Sequence, residues 1–63
     1  EFENAIGIYS KIKKLEPQNI DALLNMGVCN ANIGKKNEAK KLFESILKID
    51  PDHSAAKTNL GLF

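Results

Sequence analysis

The sequence predicts an all-α chain of antiparallel helix–turn–helix repeats stacked as an α-solenoid, and two observations predict it. Apolar residues recur at spacings of three and four along most of the chain, which is the helical period, and no segment alternates as a strand does. A repeat of supersecondary size buries its apolar face only against a copy of itself. Such a repeat is visible here, because a shift of 34 residues places like on like, as in Ala5 on Ala39, Ile12 on Ile46 and Pro17 on Pro51.

The first predicted helix covers residues 1–16. Gly7 lies inside it and costs about 1 kcal/mol relative to alanine, so either a neighbour packs closely there or the helix is weak. The connection 17–19 follows, and Asn19 is a good N-cap for the next helix. The apolar stripe of the first helix is Phe2, Ala5, Ile6, Tyr9, Ile12 and Leu15.

The complete unit covers residues 20–51 and holds two helices, the first over 20–33. Gly34 supplies the left-handed residue that ends this helix, and Asn37 is the predicted cap of the second. The second helix ends before Pro51, because proline disfavours helical geometry at the preceding residue and donates no hydrogen bond. The predicted core positions are Ala22, Leu23, Met26, Cys29 and Ile33 in the first helix and Ala39, Phe43, Ile46, Leu47 and Ile49 in the second.

Residues 54–63 form a fourth predicted helix that repeats the start of the complete unit. In the connection before it, His53 stands one period after Asn19, so Asp52 or Ser54 is the predicted cap. A histidine can be a metal ligand or a proton carrier, but no cysteine or second histidine lies near this one. We therefore interpret His53 as a surface residue of the turn.

The chain resembles the tetratricopeptide repeat, a helix–turn–helix unit of 34 residues. The resemblance implies that residues 1–16 are the second helix of one repeat, residues 20–51 a complete repeat and residues 54–63 the first helix of another. It also implies a protein–protein interaction module rather than an enzyme. The matching positions are Leu23, Met26, Gly27, Gly34, Ala39, Phe43, Ile46 and Pro51 in the complete unit, Ala5, Tyr9, Ile12 and Pro17 before it, and Leu60 and Gly61 after it.

Three residues of the complete unit depart from the family pattern. Asn30 stands where the family prefers a large aromatic residue, Lys36 where it prefers tyrosine, and Lys40 where it prefers an aliphatic residue. A buried Asn30 needs a hydrogen-bond partner. The complete unit is therefore expected to be more polar inside than the family pattern.

The resemblance further implies that the first helix of each unit lines a concave groove, which binds a peptide or a partner segment. Leu24 and Val28 have no core to enter in this arrangement, so they are predicted to face the ligand; the alternative is that an adjacent repeat covers them. The residues on the predicted lining are Asp21, Leu24, Asn25, Val28, Ala31 and Asn32, then Ala55, Thr58, Asn59 and Leu62.

Asn25 and Asn59 lie one repeat apart on this lining. Side-chain amides carry donors and an acceptor, so the two could hold the backbone of an extended peptide, and related repeats use an asparagine ladder at this position. The alternative is that each braces the connection to its neighbouring helix. The family's groove for acidic carboxy-terminal tails uses lysines and arginines that this lining lacks, so we expect weak binding of such tails and a preference for apolar side chains.

Charge and motif content argue against other classes of partner and activity. A net charge of +1, with acids and bases interspersed, predicts no nucleic-acid partner and no membrane partner. There is no glycine-rich phosphate loop, no paired metal ligands and no nucleophile with a base, so the sequence predicts no enzyme, no cofactor and no metal site. Cys29 lies on the core stripe, which favours a structural thiol over a nucleophile.

Lysines cluster around the turn of the complete unit. They could receive an acidic partner, but a solvated face, with Glu44 and Lys48 as a helix pair, is the favoured interpretation. The cluster consists of Lys35, Lys36, Lys40 and Lys41.

Length and termini suggest a piece of a larger array. The chain opens at Glu1 without an initiator methionine, and below about 70–80 residues a single core seldom supplies more than a few kcal/mol, so marginal stability is expected. It contains no signal peptide or lipidation motif and no apolar run that could span a bilayer, which predicts a soluble, cytoplasmic location. The alternative function is a structural or self-assembly element whose open ends stack head-to-tail, or exchange in a swapped homodimer.

Overall fold

The computed structural model of the chain describes residues 2–62 and contains four α-helices in that range: α1 (Phe2–Leu15), α2 (Ile20–Asn32), α3 (Lys36–Ile49) and α4 (Ser54–Leu60). Each helix packs against the next one along the chain, and short connections make such neighbours antiparallel. No strand occurs between residues 2 and 62. The predicted all-α class with helical repeats is confirmed, although α4 ends at Leu60 rather than at residue 63.

The core lies between α2 and α3 and is closed at one end by α4. Its largest fully buried side chains are Phe43, Leu23 and Ile46, all predicted core positions. Ile49 is an error of the prediction, since it is 38% exposed; it is the last residue of α3, so no further turn of that helix covers it. The buried cluster consists of Leu23, Met26, Ala39, Leu42, Phe43, Ile46 and Ala56.

The apolar stripe of α1 is only partly buried. Leu15, predicted as a stripe residue, is 83% exposed, and Ile8, which lies outside the predicted stripe, is 61% exposed. Leu15 follows Ile8 by seven residues, which is close to two helical turns, so both side chains lie on one side of α1. That side is distinct from the one through which Tyr9 packs against the core. No heavy atom of a described neighbour lies within 4 Å of a Cβ built at Gly7, so close packing does not explain this glycine.

Helix α3 begins one residue before the predicted cap. Gly34 has a φ of +86°, as the left-handed position predicted for it requires, and the turn it makes lets the helix begin at Lys36. Lys35 is the residue before the helix and makes no side-chain capping bond, although its carbonyl accepts a hydrogen bond from Ala39 N at 3.1 Å. Asn37 therefore lies inside the first turn, and its prediction as the cap was wrong.

The caps of α2 and α4 are equivalent across the repeat. Asn19 accepts a hydrogen bond from Ala22 N at 3.1 Å, and His53 Nδ1 accepts one from Ala56 N at 3.1 Å. Both capping residues have extended backbone geometry, which places each side chain over the first helical turn. The prediction that Asp52 or Ser54 caps α4 was wrong. The ring nitrogen of His53 caps this helix, as the side-chain oxygen of Asn19 caps α2.

Within residues 2–62, no helix combines the length and the apolar character that crossing a bilayer requires.

Candidate functional site

One side of α2 faces solvent. Asp21, Asn25, Val28 and Asn32 are all exposed, and their spacings of four, three and four place them on a single face of the helix. Val28 is 37% exposed, which makes it the one apolar side chain of this face. We call these four residues the α2 face; each of them was predicted on the groove lining.

Leu24 flanks the α2 face and differs from its prediction. It is half-buried and packs against the core cluster, so the expectation that it has no core to enter was wrong. Around the axis of α2, Leu24 lies between the exposed α2 face and the buried Leu23, which explains its partial burial. Ala31 is partly buried against the same cluster. The apolar surface that α2 offers to a ligand is therefore Val28 and the outer part of Leu24.

The asparagines of the predicted lining bind their own helices. Asn25 Nδ2 donates to Asp21 O at 2.8 Å, and Asn59 Nδ2 donates to Ala55 O at 2.8 Å. Neither amide bonds to a connection between helices, so the alternative that they brace the connections was wrong. A bond to the carbonyl four residues back holds each side chain against its helix and leaves the amide oxygen and one N–H for another partner.

The α4 part of the lining is less regular. Thr58 is exposed and Asn59 is half-buried. Leu62 lies beyond the helix in a turn, where its N–H donates to Asn59 O at 3.1 Å, and it is 78% exposed. The expectation that α4 runs on to present Leu62 was wrong, because the chain tightens into this turn at Gly61; residue 63 is outside the described residues.

The family of the chain follows from a comparison with known proteins. A family model described as "Tetratricopeptide repeat" matches residues 1–61. The chain belongs to the tetratricopeptide repeat family. This repeat is a non-catalytic helical unit that generally mediates protein–protein interactions, so the chain is a protein-interaction module in that general sense.

Three curated relatives resemble this tetratricopeptide chain, and each is named a probable UDP-N-acetylglucosamine–peptide N-acetylglucosaminyltransferase SPINDLY. Identity is 26% over 62 residues for the relative from Arabidopsis thaliana, 28% over 65 residues for that from Solanum lycopersicum and 26% over 62 residues for that from Hordeum vulgare. Each match covers 98% of the chain but only 7% of the relative. No solved structure matches the chain.

Asn30, a departure from the tetratricopeptide pattern, is buried and bonded. It is 5% exposed, and its Nδ2 donates to Met26 O at 2.9 Å. This supplies the partner that burial was expected to require. The division of the tetratricopeptide chain into residues 1–16, 20–51 and 54–63 stays a prediction.

Charge is distributed unevenly among the tetratricopeptide helices. Asp21 is the one charged residue of α2, so the α2 face carries no cation. The predicted Glu44–Lys48 pair is not formed. Among the described residues, one ion pair occurs, between Lys57 Nζ and Asp52 Oδ1 at 3.6 Å. Cys29 is buried, as a core position should be, and residues 2–62 contain no cluster of three or more histidine, cysteine or acidic side chains that could hold a metal ion.

Proposed function

We propose that the α2 face, continued by Thr58, Asn59 and Leu62, binds a peptide segment of a partner protein. The observation that carries this is that two amides one repeat apart make the same hydrogen bond to their own helices. Asn25 and Asn59 are each tied to the carbonyl four residues back at 2.8 Å. Two amides that are each fixed against a helix and keep spare hydrogen-bonding capacity suit a ligand's repeating backbone groups.

The chemistry of the face favours an uncharged or apolar ligand. Val28 and the outer part of Leu24 give it a small apolar surface, whereas Asp21 adds a negative charge that no lysine of α2 offsets. An acidic carboxy-terminal tail would therefore meet repulsion and no charge-assisted bond. Because so short a face offers few contacts, we expect a Kd of about 1 μM or weaker.

The test is a titration of the 63-residue chain with a blocked, uncharged peptide that carries leucines. Asn25→Ala should raise Kd about two- to tenfold, because one ligand hydrogen bond is lost at an exposed position. Asn4→Ala is the matched control, since Asn4 is also exposed but lies on α1, and it should leave Kd unchanged. Equal affinities for the chain and its Asn25→Ala variant would contradict the proposal.

A second candidate is the structural role, in which copies of the chain stack end to end. The observation that favours it is the exposed apolar side of α1, formed by Ile8 at 61% and Leu15 at 83% exposure. Exposed aliphatic groups at this level gain free energy when another surface covers them. The contact would be heterologous if this side meets the α4 end of a second copy, and reciprocal if two chains exchange helices.

A further inference from the structure

A groove runs between α1 and α3 on the side of the molecule away from the α2 face. It has a volume of about 590 Å³ and is floored by Met26 and Asn30 of α2. Val28 follows Met26 by two residues, about 200° around the helix, so the groove and the α2 face lie on opposite sides of α2. A ligand in this groove would not touch the asparagines of the α2 face.

Lysines from two helices and one connection surround the groove. Lys13 comes from α1, Lys41 from α3, and Lys35 from the residue before α3, while Glu38 is the one acid among the described residues of the lining. Within the described part of the chain, none of these lysines takes part in an ion pair. Their ammonium groups are therefore open to an external anion.

Two adjoining depressions extend this charge. The first, of about 420 Å³, shares Lys13 with the groove and adds Lys14; the second, of about 540 Å³, shares Lys41 and adds Lys48 and Glu44. Among the described residues, five lysines and two glutamates line the three hollows. Since the whole chain has a net charge of only +1, the rest of its surface is net acidic, and positive charge is concentrated along this side.

Asn30 gives the groove a buried polar group. The side chain is 5% exposed and uses Nδ2 to bond Met26 O, while its Oδ1 accepts no hydrogen bond from any described residue. Because no buried side-chain polar atom between residues 2 and 62 lacks a partner, Oδ1 reaches the groove rather than the core. A ligand N–H at this point would complete the amide's bonding in a largely dehydrated setting, where such a bond matters most.

We infer that this groove binds an acidic peptide segment of a partner protein, with one apolar side chain on the floor and carboxylates at the rim. Met26 and Leu42 are the buried apolar groups that would receive the side chain. The lysines would hold the carboxylates by charge-assisted bonds, and Asn30 would meet the peptide backbone. No aromatic residue belongs to the described lining, so single-stranded nucleic acid would find no stacking surface.

This inference concerns a different surface from the α2 face, and its test separates the two. The probe is a blocked peptide with one leucine between pairs of glutamates, added to the isotopically labelled chain and followed by NMR. The side-chain amide signals of Asn30 should shift, while those of Asn25 should stay in place. Glutamine in place of the glutamates, or alanine in place of the leucine, should weaken binding.

Matched lysine variants give the decisive measurement. Lys13→Gln and Lys41→Gln should each raise Kd about two- to fivefold, as exposed ion pairs contribute at this level. Lys11→Gln should leave Kd unchanged, because Lys11 lies two residues from Lys13, on another side of α1. Glu38→Gln should tighten binding, because it removes a negative charge from the lining. All four residues are exposed, so circular dichroism should show an unchanged fold.

Three results would overturn the inference. One is an equal loss of affinity for Lys11→Gln and Lys13→Gln, which would mean diffuse attraction without a groove. Another is a shift of the Asn25 amide in place of that of Asn30. The third is binding of phosphatidylserine vesicles or a single-stranded oligonucleotide under conditions in which the peptide leaves the Asn30 signals unmoved.

Discussion

Gly27 of α2 lies directly against the ring of Phe43 of α3. A Cβ atom at Gly27 would come within 2.6 Å of Phe43 Cε1 and 2.8 Å of Phe43 Cζ, closer than carbon atoms pack. The ring is 1% exposed and belongs to the core cluster, so any shift of the ring would disturb its buried neighbours. The absence of a side chain at Gly27 is therefore what allows α2 and α3 to pack at this distance.

Gly27→Ala should destabilise the chain by about 1–3 kcal/mol, because overpacking the contact outweighs alanine's better helix propensity. Gly7→Ala is the matched control, since nothing lies within 4 Å of its added Cβ; it should stabilise the chain by about 0.5–1 kcal/mol. Urea unfolding followed by circular dichroism measures both. The same glycine-to-alanine change should therefore lower the free energy of unfolding at position 27 and raise it at position 7. A stabilising Gly27→Ala would contradict the close contact between Gly27 and Phe43.

Phe43→Ala should abolish folding of the isolated chain. Loss of a buried aromatic side chain costs about 3–5 kcal/mol, and a repeat array with few neighbouring interfaces has little stability to lose. The unchanged chain should itself melt well below about 80 °C. Thermal circular dichroism of a dilute monomer checks both statements, and a sharp transition above that temperature would show that marginal stability was a wrong expectation.

His53→Asn should preserve α4, whereas His53→Ala should fray it. An asparagine caps the equivalent helix one repeat earlier, where Asn19 accepts a hydrogen bond from Ala22 N at 3.1 Å. The distance from Ala56 N to His53 Nδ1 is also 3.1 Å. Loss of an N-cap costs about 0.5–2 kcal/mol, and the short α4 depends on its first turn. Amide hydrogen exchange of α4 measures this; equal exchange in the two variants would rule out capping by the ring.

If copies of the chain stack through the exposed side of α1, Ile8→Ala with Leu15→Ala should shift the population toward monomer. These side chains are exposed, so their removal should cost little folding stability. Leu60, at the α4 end, is kept unchanged in this test. It packs against the core, so Leu60→Ala would destabilise α4. Sedimentation over a range of concentrations gives the measurement, with Val28→Ala as an exposed control on α2. A mass distribution unaffected by the double substitution would exclude this contact.

The core of the chain was predictable from spacing alone. Apolar residues at spacings of three and four place Ala39, Phe43 and Ile46 on one side of a helix, and all three are at most 1% exposed. Gly34 was predictable for a similar local reason, because its φ of +86° is a conformation that side chains disfavour. Such features depend on the backbone period and on local sterics, which a sequence states directly.

The errors about burial have a common cause, which is that the position of a residue on a helical stripe does not show where a neighbouring helix begins or ends. Leu15 and Ile49 fit their stripes, yet they lie at helix ends and are exposed. Leu24 was assigned to the ligand side but packs partly against the core. Burial at the edge of a stripe depends on the position of the partner helix, and this is a property of the assembled structure.

The sequence by itself determined the repeat, its helices and the side of each helix that enters the core, because these follow from periodicity and residue type. Only the tertiary structure decided which residues outside the core come together at the surface, as in the groove between α1 and α3. The sequence places Lys35, Lys36, Lys40 and Lys41 around one turn, and all four are exposed. Packing of α1 and α3 on either side of α2 adds Lys13 to the groove that Lys35 and Lys41 line, and leaves Asn30 at its floor. Lys35 and Lys41 follow Lys13 by 22 and 28 residues in the sequence. Only the packing of the helices can bring them to one groove.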